Sequence, residues 1–254
     1  MSNFMLSGVA QQIAADTTIA IITDNIANQR VPGRQAIRPV FTEVFVAQTQ
    51  ASSGDAVTAH GFIARSGTSR DVSSGAFEHT GDPFHFAVSG PAYFAVRNSN
   101  GEITYTKNGK FRLNEQRQVV DSKGNTLLAE GEQPIQLTEG VKLAEFVVKE
   151  DGTMIAKDQQ LGKLMLARFE NQNKMDLDRN GHFHTDQPNL GPLDEDGQRI
   201  VRVQQGFVEE SNIQNIREMT HLLTAEKSSK RISSLMEAEQ RRRMEFYSAI
   251  PGNR

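Results

Sequence analysis

Apolar positions change their period twice along the chain. From about Ser2 to Asn28, Leu6, Val9, Ile13, Ala20 and Ala27 recur at spacings of three, four and seven, and Ile19, Ile22 and Ile26 widen that face. This predicts an amphipathic helix of about 20 residues, roughly 30 Å long. It should stop at Asn28, because Val31-Pro32-Gly33 forces extended and then turn geometry. Gln35 to Val46 fits strand or helix. Ala47 to Ser74 is rich in Ala, Ser, Thr and Gly and reads as an extended connector or a disordered linker, with one strand candidate at Phe62–Ala64.

From Thr80 onward the period shortens to that of a strand. Phe84–Val88, Tyr93–Val96, Ile103–Thr106, Lys110–Leu113, Gln118–Val120 and Thr126–Ala129 are short runs separated by turn residues. Asn100-Gly101 and Asn108-Gly109 are hairpin signals, because a type I′ turn needs two positive φ angles. Ile135–Leu137, Leu143–Val148, Met154–Ala156, Leu164–Phe169 and Arg199–Gln204 extend the pattern, with Asp151-Gly152 as a further turn and Asn171 to Gly197 as a polar excursion. The middle of the chain is therefore expected to be antiparallel β.

After Gly206 the helical period returns. Ser211 or Asn212 can cap a helix, and Pro and Gly are absent to about Tyr247. Leu222, Ala225, Ser229, Ile232 and Met236 form a heptad-like seam, with Ile216, Met219 and Leu223 as a second row. A helix of about 35 residues would reach roughly 50 Å, more than a β domain needs as cover. The expected fold class is thus α+β: long N- and C-terminal helices pairing as a coiled coil, with Ile13, Ile22 and Leu222 in the shared seam, around a central antiparallel β-rich domain. The expected divisions are residues 1–34 with 205–254 as the helical part, 35–79 as the connector and 80–204 as the β part.

Charge and composition remove several functions. The net charge is −3, which argues against a nucleic-acid binder working through a basic face. Residues 226–254 hold seven Lys or Arg against four Glu, including Arg241–Arg243, which suits an acidic neighbour or simply a solvated helix face. No cysteine is present, so disulfides and thiolate chemistry are excluded. No apolar run of transmembrane length occurs, and the N-terminus has neither the basic nor the apolar region of a Sec signal peptide.

Candidate chemistry is sparse. Asp176-x-Asp178-x-Asn180-Gly181 matches half of a calcium loop, but Gln187 stands where the closing bidentate Glu is needed. His182 and His184 should share one face of a strand, two ligands without a third. Asp194-Glu195-Asp196 reads as a solvated turn. No phosphate loop, G-x-S-x-G or H-E-x-x-H occurs. No catalytic residue, cofactor or metal is expected.

Four boxes give the chain a relationship. Asp24-Asn25-Ile26-Ala27-Asn28-Gln29-Arg30-Val31-Pro32-Gly33-Arg34 resembles Asn-Asn-x-Ala-Asn-x-x-Thr-Pro-Gly-aromatic-Lys, departing at Asp24, Val31 and Arg34. Thr80-Gly81-Asp82-Pro83 through Gly90 to Val96 resembles Thr-Gly-Asn-Pro-Leu-Asp-Leu-Ala-Ile-x-Gly-x-Gly-Phe-Phe-x-Val, with Ala92 for a glycine. Tyr105-Thr106-Lys107-Asn108-Gly109-Lys110-Phe111 looks like Tyr-Thr-Arg-Asn-Gly-x-Phe. Gln205-Gly206-Phe207-Val208-Glu209-Glu210-Ser211-Asn212-Ile213 looks like Gln-Gly-x-Leu-Glu-x-Ser-Asn-Val, with Glu218-Met219 following in place. The Arg-x-aromatic-Glu of the last helix is replaced by Glu226-Lys227-Ser228-Ser229. These boxes resemble those of the bacterial flagellar rod and hook axial proteins over nearly the whole chain. The wording is most like the proximal rod subtype, with the distal rod next.

The resemblance implies a structural protein, not an enzyme. It implies helical stacking of subunits into a hollow tube that crosses the periplasm from basal body to hook. The implied partners are copies of itself, other rod and hook proteins, and the flagellar type III export apparatus, with export without a cleaved signal. The residues it marks for assembly are Asn25, Asn28, Pro32, Gly33, Gly81, Pro83, Gly90, Asn108, Gly109, Gln205, Gly206, Ser211, Asn212, Met219 and Leu222. An extracellular β-domain binding module is the competing reading from another class.

Overall fold

The computed structural model describes residues 3–48, 58–138, 145–157, 159–178, 180–193 and 197–248. The expectations for Leu143 and for Asp194–Asp196 lie outside those residues. The chain divides into two compact units: one of 1–27, 37–70 and 214–254, the other of 28–36 and 71–213.

The first unit holds helices α1 (Asn3–Asn28) and α2 (Asn215–Ser248) and the strands β1 (Ile37–Gln48) and β2 (Thr58–Arg70). β1 and β2 form an antiparallel ribbon, with a register shift at Thr42/Glu43. The segment Gln35–Val46, ambiguous by period, is thus mostly strand, and the expected connector contains both arms of this ribbon.

The coiled-coil pairing of α1 and α2 is not what the structure contains. A coiled coil buries large apolar knobs in holes on the facing helix. Here Gln12 Nε2 donates to Ser229 Oγ at 2.7 Å, and Ser233 Oγ donates to Gln12 Oε1 at 3.3 Å. A Cβ on Gly8 would stand 3.2 Å from Met236 Cγ. Ile13, Ile216, Met219, Leu223 and Leu235 are at least half exposed. Ile22 is buried and Leu222 partly so, but Ile13 is 59 % exposed, so the expected shared seam does not form. Periodicity located an apolar stripe; it could not say what, if anything, lay against it.

The second unit is antiparallel β. Its strands are β3 (Phe77–His79), β4 (Phe86–Ser89), β5 (Ala92–Arg97), β6 (Ile103–Thr106), β7 (Arg112–Leu113), β8 (Val119–Val120), β9 (Thr126–Ala129) and β10 (Gln133–Pro134). They continue with β11 (Phe146–Val148), β12 (Thr153–Ala156), β13 (Gln159–Lys163), β14 (Leu166–Arg168), β15 (Asp176–Leu177), β16 (Phe183–His184), β17 (Arg202–Gln205) and β18 (Phe207–Glu209). The main sheet runs β15-β16-β6-β5-β9-β8-β7, with β10 beside β9 and β14 beside β5. β11, β12 and β13 form a second sheet, while β17 pairs with β4 and β18 with β3.

β5 is central and buried on both faces. Phe94 and Val96 enter the larger core with Phe86, Val88 and Phe111, and Phe94 meets Phe111 edge to face at 5.5 Å. Tyr93 enters a smaller cluster with Phe169, Met175 and Phe183. Alternating side chains thus serve two cores from one strand.

Five hairpins among the described residues repeat one five-residue turn. The first residue's N–H donates to the fifth's carbonyl, and the fourth's N–H donates back to the first's carbonyl. These turns are Asn98–Glu102, Asn114–Gln118, Asp121–Asn125, Lys149–Thr153 and Asp178–His182. The fourth residue is Gly101, Arg117, Gly124, Gly152 or Gly181, each with positive φ. In four of them an Asn or Asp side chain at the first position also accepts the fifth residue's N–H, at 2.8–3.0 Å. The local αL residue after a turn gives a bulged hairpin instead of type I′. Asn100-Gly101 therefore turns as a hairpin, but with positive φ at Gly101 and not at Asn100.

Asn108-Gly109 is no hairpin turn at all. β6 pairs with β5 and β16, and β7 with β8. Gly109 lies against β4, its carbonyl accepting the Phe86 N–H at 2.9 Å. A Cβ there would fall 1.5 Å from the Phe86 oxygen. The same dipeptide is demanded here by close packing, not by a turn.

Candidate functional site

Three of the four boxes and the end of the first meet inside the β unit. Gly33 has φ +68°, donates its N–H to the Glu209 carbonyl at 2.8 Å, and lies so close to Lys107 that a Cβ would sit 2.4 Å from that residue's carbonyl carbon. The turn before it is fixed by Val31 N–H donating to the Asn28 carbonyl, with Pro32 between. Ser211 Oγ donates to the Arg34 carbonyl at 3.0 Å. Asn212 accepts the Ala36 N–H at 2.8 Å and donates to the carbonyls of Asp71 and Ser73, both at 2.8 Å.

The polar centre of this junction is an ion pair with almost no solvent access. Lys107 Nζ stands 3.3 Å from Glu209 Oε2, and both side chains are at most 3 % exposed. Nζ also donates to the Gly90 carbonyl at 3.4 Å and lies 5.8 Å from the centre of the Tyr93 ring. The other Glu209 oxygen accepts the Gly75 N–H at 3.1 Å. Burying two charges is expensive unless each is paired and its remaining valences used. Here the pair, a carbonyl, an N–H and an aromatic face use them.

Gln205 and Gly206 complete the arrangement. Gln205 Nε2 donates to the carbonyls of Pro83 and Phe146, at 2.8 and 2.9 Å, while its Oε1 accepts the Val148 N–H at 2.9 Å. One side-chain amide thereby joins three backbone segments. The Gly206 carbonyl accepts the N–H groups of Thr80 and Gly81, and its own N–H donates to the His85 carbonyl.

The first unit has a polar knot of its own. Asn25 is fully buried; its Nδ2 donates to the Ile37 carbonyl at 2.8 Å and its Oδ1 accepts the Ile37 N–H at 2.9 Å. The amide thus occupies the place of a partner strand on the first residue of β1. Nδ2 also reaches Glu218 Oε2 at 3.2 Å. Arg38 Nη1 meets the other Glu218 oxygen at 2.6 Å, and the Glu218 side chain is 0 % exposed.

Among the residues expected to matter, Asn28, Pro32, Gly33, Gly81, Pro83, Gly90, Asn108, Gly109, Gln205, Gly206, Ser211 and Asn212 lie in the β unit, most of them at this junction. Asn25 anchors the separate knot. Met219 and Leu222 lie on α2, and Met219 is half exposed. Lys107, Glu209, Arg38 and Glu218 were not singled out, although Lys107 stands where the resembled box carries an arginine.

A third cluster surrounds the run that resembles half a calcium loop. That run folds as the β15–β16 hairpin, with Asp178 Oδ1 accepting the N–H groups of Asn180 and His182 at 2.7 and 2.8 Å. His182, 5 % exposed, donates from Nε2 to Asp121 Oδ2 at 2.8 Å. Burial raises the Asp121 pKa, but hydrogen bonds from His182, Asn125 and the Lys123 N–H outweigh it and hold the carboxyl below its ordinary value. Asp178 is likewise lowered, burial opposing the N–H groups of His182 and Asn180 and the nearby histidines. No group of three or more His, Cys, Asp or Glu among the described residues is arranged to hold a metal ion.

Comparison with known proteins agrees with the convergence of the boxes. The family described as "Flagellar hook protein FlgE/F/G D1 domain" matches residues 87–156, within the β unit. The flagellar basal-body rod protein FlgF of Mesorhizobium japonicum is 27 % identical over 237 residues, covering 93 % of this chain and 92 % of that one. FlgF of Rhizobium meliloti is 28 % identical over 240 residues with the same coverage. The flagellar hook protein FlgE of Salmonella typhimurium is 31 % identical over 114 residues, 45 % of this chain and 26 % of the hook protein. With similarity to rod proteins along 93 % of its length, and the boxes drawn together by the fold, the chain is similar to the flagellar basal-body rod and hook proteins.

Proposed function

We propose that this chain works as a proximal-type rod subunit whose β unit is a rigid body closed by the boxes. It is a structural component of the bacterial flagellar basal-body rod. The observation that carries this is similarity to FlgF proteins along 93 % of the chain, which leaves too few residues unmatched to omit either terminal helix entirely. A free-standing binding module would not need those ends.

The buried polar groups fit a structural role. Lys107, Glu209, Asn25 and Glu218 are spent on one another and on backbone, leaving none of them open to a substrate. We read the chain as without catalytic function and without cofactor. Its partners are its own copies and other rod and hook proteins, and the export apparatus is the type III machinery of the flagellum, used without signal cleavage. The terminal helices with the β1–β2 ribbon serve assembly, and the β unit forms the outer part of a hollow helical tube.

The test is removal of Arg231–Arg254, which takes nothing from residues 28–36 or 71–213. The truncated chain should keep a cooperative β-unit melt, yet support neither motility nor incorporation into basal bodies. Rods built from the truncated chain would overturn the reading of α2 as an assembly element.

A further inference from the structure

Asn-Gly occurs three times, at residues 100–101, 108–109 and 180–181. This dipeptide is open to spontaneous deamidation, because glycine has no Cβ to shield its own backbone nitrogen. A solvent base takes the proton of the glycine N–H, and the nitrogen attacks the asparagine Cγ. A new C–N bond forms and Nδ2 leaves as ammonia, with a proton from water. Water then opens the cyclic imide at one of its two carbonyls, leaving aspartate or isoaspartate. Solvent supplies every co-reactant, so the fold alone decides which asparagine reacts: its side chain must be free to turn and the glycine peptide free to rotate.

We propose that Asn100 and Asn180 are deamidation sites of the folded protein and that the fold protects Asn108. Asn100 and Asn180 hold the same place, third in the five-residue turns Asn98–Glu102 and Asp178–His182. Both are exposed. Each uses its backbone N–H, on Asn98 Oδ1 at 2.9 Å or Asp178 Oδ1 at 2.7 Å, and has no side-chain partner among the described residues. Nothing lies within 4 Å of a Cβ position on Gly101 or Gly181, so either glycine can rotate. One hydrogen bond opposes the attack in each turn. The Gly101 N–H donates to the Asn98 carbonyl at 3.0 Å, and the Gly181 N–H to the Asp178 carbonyl at 3.2 Å. At a wet hairpin tip, water replaces such a bond at little cost.

Asn108 is held where the other two are loose. Its Oδ1 accepts the Lys110 N–H at 3.0 Å, and its own N–H donates to Thr106 Oγ1 at 3.0 Å. Gly109 is buried, and its carbonyl is fixed by the Phe86 N–H. With the Phe86 oxygen 1.5 Å from a Cβ position on Gly109, this peptide can rotate only by lifting off β4. The two open sites stand at opposite ends of β6. The 98–102 turn precedes Ile103, while the antiparallel pairing of Phe183 with Tyr105 puts the 178–182 turn toward Thr106. A reacted site gains a negative charge in a turn that already holds Glu102 or Asp178, and isoaspartate also adds one backbone atom to that turn.

The experiment incubates the full chain at pH 8.5 and 37 °C, native and in guanidinium chloride, and follows the three Asn-Gly peptides by mass spectrometry after digestion at acidic pH. The mass gained when an amide becomes an acid marks each event. In denaturant all three should react at similar rates, which sets the intrinsic rate of each dipeptide. In the native chain Asn100 and Asn180 should keep most of that rate, while Asn108 should be slower by about tenfold or more, since it must wait for local opening. A native Asn108 that reacts as fast as Asn100 would overturn the proposal. So would a native Asn100 or Asn180 slowed as much as Asn108, which would show that the turn hydrogen bonds hold the tips shut.

Discussion

Lys107 and Glu209 are 102 residues apart in sequence and 3.3 Å apart in the fold, in a place where neither charge meets water. Removing one partner leaves the other buried and unpaired, which costs about 3–5 kcal/mol. Lys107→Met should therefore destabilise the β unit by that order. The double variant Lys107→Met/Glu209→Gln should recover most of the loss, because glutamine keeps an acceptor for the Gly75 N–H. Denaturant melts of the two variants decide it; equal losses would show that the charge is not what matters.

Gly33 and Gly101 both have positive φ, but only Gly33 faces a wall. Gly101→Ala should cost about 1–2 kcal/mol, the left-handed penalty alone, since nothing lies within 4 Å of its Cβ position. Gly33→Ala adds a clash with the Lys107 backbone and should cost clearly more. Similar losses at the two sites would mean that the 31–34 turn shifts without resistance.

Asn25→Asp tests the knot in the helical unit. The carboxylate keeps an acceptor for the Ile37 N–H, but loses the donor to the Ile37 carbonyl and brings a charge to Glu218. The expected loss is about 3 kcal/mol, with reduced helix content by circular dichroism. Lowering the pH should restore part of it as one of the two carboxyls takes up a proton. Unchanged stability would show that Arg38 alone satisfies Glu218.

Acid should act on Asp121 in the direction set by its lowered pKa. A carboxyl whose folded value lies below its unfolded value stabilises above the unfolded value, near 4, and loses this as pH falls through the folded value. Asp121→Asn should cost about 1–3 kcal/mol at pH 6. The gap from wild type should narrow below pH 4 as the native carboxylate is titrated. A gap that is constant from pH 6 to pH 2 would contradict the hydrogen-bonding geometry of this turn.

The strands around β5 were legible because the runs at Phe84, Tyr93 and Thr126 alternate or are apolar throughout and end in turn residues. β13 was not, because Gln159-Gln160-Leu161-Gly162-Lys163 has the composition of a loop and becomes a strand by pairing with β12. β15 and β16 are two-residue strands inside a polar excursion and carry little signal. The five-residue turn was visible in principle, as Asn or Asp three residues before Gly, but Arg117 occupies the αL position in one copy and Lys149 the first position in another, which hides the repeat. The boxes meet at the junction, yet its ion pair was invisible: a lone Lys and a lone Glu at such a separation look like any two surface charges. The coiled coil failed for the opposite reason, since a clear apolar stripe on each helix does not require the stripes to face one another, and Ile13, Ile216 and Leu223 stay exposed.

The closure of the β unit by Ser211 and Asn212 on residues 34–36 sets an order of folding. The five hairpins are local and need only neighbouring residues, so they can form while the chain is still being synthesised. The junction is a loop closed over some 175 residues, and its entropic cost is met only when the last box arrives. A chain made from its amino terminus carries formed hairpins and an unclosed β unit until Asn212 has been added.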